Sequence, residues 1–167
     1  MNSPPTKRVL DHWLSIGGDG GIPDRLALVP SAFSSVLGWT MTIEVPSMRI
    51  RVRGGHLEPW LSHTWRDYLH EAFDQLDAAA IALIGQELAA GRRVRRALRF
   101  SNDTRGSMLL LPLTMGFGEV CRAIGAVDHH GPIPGGLARI VRADHLRLVH
   151  SRPDRAALPS MEIAHEA

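Results

Sequence analysis

The chain holds one cysteine among 167 residues. A single thiol excludes an internal disulfide framework and fits a reducing compartment. No apolar run approaches the roughly 18 residues that a membrane-spanning helix needs. The opening MNSPPTKRVLDHWLS lacks the apolar core of a secretory signal. The expected setting is therefore cytoplasmic, with no membrane contact. A marked excess of one charge is missing too. Nineteen basic residues against 17 acidic ones leave a net charge of +2, too small to argue by itself for a nucleic-acid partner. Despite nine histidines, neither His-x-x-x-His nor Cys-x-x-Cys spacing occurs, so no zinc motif is present.

What remains is ordinary globular material, 44% hydrophobic and 22% charged, long enough to bury a core. Val9, Leu10, Trp13 and Leu14 share one face of an opening helix that Thr6 is placed to cap. The glycine-rich GGDGGIPDR ends it. A helix precedes that stretch and Pro23 follows, so it lacks the strand–loop–helix setting of a phosphate cradle and reads as a connector. A short helix is expected over Ser31–Leu37, with Gly38 as its cap. Trp39–Val45 reads as a strand. In MRIRVR, Met48, Ile50 and Val52 alternate with Arg49, Arg51 and Arg53, the period of a strand with one apolar and one cationic face. Leu69 to Ala90 carries helical spacing through Phe73, Leu76, Ala80, Leu83, Ile84 and Leu88, and Gly91 stops it. A second arginine-faced strand follows, with Val94, Leu98 and Phe100 opposite Arg93, Arg95 and Arg99. Two apolar strands, SMLLLPL and EVCRAIGAV, then form a hairpin, in which Pro112 should fall near a strand end or a bulge. HLRLVHS can add a short further strand, and the chain from Arg152 on reads as a tail.

Helix, two strands, helical middle, long helix, three strands: this is an α+β order, giving a five-stranded antiparallel sheet with helices on one face plus an N-terminal helix. The order resembles a PAS domain. HWLSIGGDGGIPDR (His12–Arg25), MRIRVRGG (Met48–Gly55), LLLPL (Leu109–Leu113) and GEVCRAIGA (Gly118–Ala126) are similar to the single-domain PAS proteins common in alphaproteobacteria. The resemblance spans about residues 8 to 128. It suggests an N-terminal helix and connector over 1–29, a PAS-like domain over 30–128 and an extension over 129–167. It also implies a sensory or regulatory module and not a catalyst, with the second and third strands as the two sheet edges.

Candidate residues follow from that frame. An apolar ligand pocket would be lined by Met48, Ile50, Val52, Trp60, His63, Trp65, Phe73, Leu76, Phe100, Leu110 and Cys121, with Trp60 and Trp65 either filling the core or stacking a planar ligand. Cys121 reads as a buried thiol, because Arg122 points to the opposite face and no partner histidine is near in sequence. No haem or flavin motif is indicated: the long helix has its only histidine, His70, at its start, and the cysteine motif of light sensors is absent. Cofactor identity stays open. Val9, Leu10 and Trp13, with Arg49, Arg51, Arg93 and Arg95, are candidates for a homodimer or partner surface. The arginine stripes either protect sheet edges or meet an acidic partner. Any signal must pass to a separate protein. The alternatives are a ligand-free interaction domain, a small enzyme using Asp128, His129 and His130, or an anion or nucleic-acid binder.

Overall fold

The computed structural model describes residues 3–17, 21–57, 68–69, 78–100, 104–116, 118–130 and 140–148, with Phe100 and 140–148 described by backbone alone. Helix α1 (Pro5–Gly17) is followed by a 3-10 turn at Arg25–Ala27 and a longer 3-10 stretch over Pro30–Trp39. Next come β1 (Thr40–Glu44), β2 (Ile50–Arg53), helix α2 (Ala78–Ala89), β3 (Val94–Phe100), β4 (Arg105–Thr114), β5 (Val120–His130) and β6 (Ile140–Leu148). The strands form one antiparallel sheet in the order β2-β1-β5-β4-β3-β6.

The first five strands stand in the order expected of a PAS-like sheet, and the sixth is appended beside β3. The protein is thus α+β as the element order predicts. One expectation fails here: β3 is not an edge, because β6 pairs with it along its length. Its arginines therefore have no edge to protect.

Alternation of side chains divides the core into two layers. On one face, Met41, Ile43, Ile50, Val94, Leu98, Met108, Leu110, Ala123 and Val127 meet Ile84 and Leu88 of α2. On the other, Leu109, Leu111, Leu113, Ile124 and Ala126 meet Val9 and Trp13 of α1 and Phe33 and Val36 of the 3-10 stretch. Covered on both faces, β4 and β5 can be almost continuously apolar. Helix α2 ends where foreseen, at Gly91, whose φ of +77° suits a residue without a Cβ. Within α2, Leu83 was expected on the buried stripe but lies at its flank, 40% exposed.

Three local readings are corrected by backbone geometry. The stretch Pro30–Trp39 is 3-10 and not α-helical, and it encloses Gly38 instead of ending there. Met48 belongs to the turn before β2; its φ is +58°, and the hairpin passes through a cis Val45–Pro46 bond. Thr6 does not cap α1 with its own hydroxyl. Its backbone N–H and its hydroxyl both donate to the Asp128 carboxylate, 122 residues away in the chain.

Pro112 satisfies both of its expected conditions. It lies two residues past Leu110, the last β4 partner of β3, and next to Leu113, where a bulge interrupts the β4–β5 ladder. Its missing donor is needed by no neighbour there, and its carbonyl accepts from the Trp13 indole at 2.8 Å.

Candidate functional site

The layer between the sheet and α2 is where the sequence placed a ligand pocket. Met48, Ile50 and Leu110 all lie in it, at 1%, 6% and 0% exposure. Trp60, His63, Trp65, Phe73 and Leu76 fall outside the described residues, as does the side chain of Phe100. Val52 does not belong to the layer. The β1–β2 register runs Met41↔Arg53, Thr42↔Val52, Ile43↔Ile50, so Arg51 is an extra residue that reverses the alternation. Val52 therefore stands on the α1 side opposite Thr42, 62% exposed. Strict period two in MRIRVR could not reveal this, because a bulge leaves the sequence pattern intact.

Cys121 occupies a similar irregularity. Leu113 pairs with Arg122 and Thr114 with Val120, which leaves Cys121 as the extra residue of that bulge. It is a half-buried free thiol, where a core position was expected. Its carbonyl accepts from Val45 N–H at 3.0 Å, so its place is held by the backbone. The Arg122 guanidinium donates to Glu44 at 2.8 Å and to the Cys121 carbonyl at 3.2 Å.

The buried polar groups were largely missed by sequence reading. Arg96 is only 6% exposed and stands on the α2 side, in phase with Val94 and Leu98. The signal was available: within VRRALRF it is the arginine that falls on the apolar phase. Glu87 of α2 is 7% exposed, and both its carboxylate oxygens accept from Arg92, one at 2.7 Å. Asp128 is 4% exposed and ties β5 to α1; Ser107 also donates to it at 3.4 Å, and Arg95 donates to Thr6 at 3.1 Å.

The Asp128, His129 and His130 triplet does not converge. Asp128 and His130 pair with Ser107 and Arg105 on the α1 face, while His129 lies between them on the opposite face and meets Thr104 at 2.7 Å. Among the described residues, no three His, Cys, Asp or Glu side chains gather as a metal site.

The candidate partner surface is partly spent within the chain. Val9 is fully buried and Trp13 is 6% exposed, both against the sheet. Arg93 lies over the Trp13 ring, 5.8 Å from its centroid. Arg95 is half-buried through its contact with Thr6. Leu10 is half-buried, and among the α1 leucines it is Leu14, at 45%, that faces outward. On β2, Arg51 pairs with Glu44 at 2.8 Å, and Arg49, just before the strand, is half-buried. By strand count, β2 and β3 stand four steps apart, about 19 Å, so the stripes make no single groove.

Two carboxylates carry acid-sensitive links. Backbone N–H groups of Leu26 and Gly116 hold the Asp24 carboxyl below its usual range, and the Arg25 charge adds to this. Asp24 also bridges to Thr114, so residues 23 and 24 pin the glycine-rich connector to the end of β4. For Glu44, hydrogen bonds from Arg51 and then Arg122 lower the value. A carboxylate lowered on folding stabilises the fold fully above its unfolded pKa, and that contribution disappears as pH falls through the folded one. The thermal midpoint should therefore be flat near neutrality and drop below about pH 4. Asp24→Asn and Glu44→Gln variants should start lower and lose less on acidification. A drop of equal size in both variants and parent would assign acid sensitivity elsewhere.

Among the described residues, no helix is long and apolar enough to cross a membrane. The chain matches no family model, no curated protein and no solved structure.

Proposed function

We propose that this chain is a non-enzymatic regulatory module of PAS type, binding a small and largely apolar ligand between its sheet and α2 and passing the signal to a separate protein. The observation that carries the reading is the layer itself. Nine sheet residues from β1 to β5 form one apolar layer with Ile84, Leu88, Leu57 and Leu69, interrupted on β3 by the buried Arg96. A layer of this kind selects ligands by shape and apolar area. A catalytic reading draws less support, since Asp128 and His129 face opposite sides of the sheet and the Arg122 guanidinium is held by Glu44 and the Cys121 carbonyl.

Native mass spectrometry of freshly purified protein tests the reading. A discrete small-molecule adduct, lost on denaturation, is expected. Its absence in every preparation would favour the second reading, a ligand-free interaction domain whose apolar layer is simply its core.

A further inference from the structure

Helix α1 precedes the sheet and carries its own set of attachments to it. Val9 and Trp13 are buried against Leu109, Leu111, Leu113, Ile124 and Ala126 of β4 and β5. Thr6 donates to the Asp128 carboxylate near one end of the helix, and the Trp13 indole donates to the Pro112 carbonyl toward the other. Past the connector the chain is pinned afresh. Thr114 N–H donates to Pro23 O at 3.0 Å, and Gly116 N–H donates to the Asp24 carboxylate at 2.6 Å. Between these two anchorages the chain turns back on itself. A Cβ on Gly21 would fall 2.8 Å from the Gly17 carbonyl oxygen, and one on Gly17 would fall 3.3 Å from the Pro23 ring. The Gly17 oxygen is a backbone atom that no rotamer change can move, so the closed turn requires glycine at position 21.

We propose that α1 is an exchangeable arm, and that in a dimer of this chain each copy's α1 lies on the β4–β5 face of the other. Complementarity fixes the occupant. The Asp128 carboxylate and the Pro112 carbonyl are placed to meet Thr6 and Trp13 of an α1 helix. A second copy brings those same groups, and the exchange is reciprocal about a two-fold axis. Contacts between α1 and the sheet are then equal in the closed and exchanged forms. The balance lies in the connector and in the cost of association. The closed form needs the tight approach of Gly21 to Gly17, whereas exchange opens it. Residues 18–22, drawn out, span about 17 Å, a reach that lets the helix leave its own sheet for a neighbouring one. In the closed form the short tether acts as an effective concentration on the order of millimolar, so the parent chain exchanges chiefly at high concentration. Exchange also lets Val9 and Trp13, buried within one copy, belong to a homodimer interface. Occupancy of the layer beside α2 does not enter into it.

Gly21→Ala is the discriminating variant of the full chain. Its Cβ obstructs the closed turn but not the opened connector. The dimer dissociation constant, read by sedimentation equilibrium, should therefore fall at least about tenfold relative to the parent. Gly55→Ala, whose Cβ meets nothing within 4 Å, should leave it within about twofold. A Gly/Ser insert of about six residues after Gly20, added to the Gly21→Ala chain, lets α1 close again and should return it to the parent's monomer. Hydrogen exchange should find α1 as protected in the Gly21→Ala dimer as in the parent monomer, because it stays docked throughout. A Gly21→Ala chain no more dimeric than the parent overturns the proposal. So does a dimer that the insert leaves unchanged, which would place the interface elsewhere. An α1 that loses its protection in the dimer does the same, since two bared sheet faces would then be pairing directly.

Discussion

Replacing Trp13 with alanine is expected to lower the free energy of unfolding by about 3–5 kcal/mol, a large share of the roughly 5–15 kcal/mol that holds a domain of this size together. The indole is 6% exposed and fills the layer between α1 and the sheet, against residues such as Leu111, Leu113 and Ile124. Its N–H is also the donor to the buried Pro112 carbonyl at 2.8 Å. The two contributions separate in a series. Trp13→Phe keeps most of the apolar volume but leaves the carbonyl without that donor, at a cost of about 1–3 kcal/mol. Trp13→Ala removes both and leaves a cavity. The Arg93 contact with the ring is half exposed and adds less. Chemical denaturation of the three proteins reads the order directly. Equal stability of Trp13→Ala and the parent would mean that α1 is not docked as described.

The second large effect is expected at Gly54. The chain leaving β2 crosses the segment entering β1 so closely that a Cβ on Gly54 would fall 2.2 Å from the Leu37 carbonyl oxygen and 2.5 Å from the carbonyl carbon and oxygen of Gly38. All three are backbone atoms, so no rotamer change can make room. The crossing is also hydrogen-bonded, with Gly54 N–H donating to Thr40 O at 2.7 Å and His56 N–H to Gly38 O at 2.9 Å. Gly54→Ala must therefore push two strands' entry points apart, costing at least the upper part of the about 1–3 kcal/mol usual for overpacking. Gly55 is the internal control. A Cβ there meets nothing within 4 Å, and Gly55→Ala should change stability by no more than about 0.5 kcal/mol. The contrast between neighbours is the measurement. If both substitutions are equally mild, the close crossing is wrong.

Both effects bear on the regulatory reading. Gly54 ties the end of β2 to the start of β1. Trp13 fixes α1 over the same end of the sheet from which β4 and β5 turn back. A variant that loosens either point alters the frame on which any signal depends, even where it touches no ligand.

The α+β class followed from periodicity and element order alone, because alternation and helical spacing are local properties of the chain. So did the stop at Gly91, the position of Pro112 and the apolar character of β4 and β5. Tertiary structure decided matters that local pattern does not encode. Two bulges turned Val52 outward and left Cys121 half-buried, since an inserted residue shifts phase without altering the letters. Pairing with β6 removed the edge from β3 and set Arg99 between Arg105 and Arg142. Contacts across 122 and 92 residues made Asp128 the anchor of α1 and Asp24 the clasp on Gly116. Spacing along the chain determines which faces are apolar. Which charged group lies opposite another depends on register, and register exists only once the strands have paired.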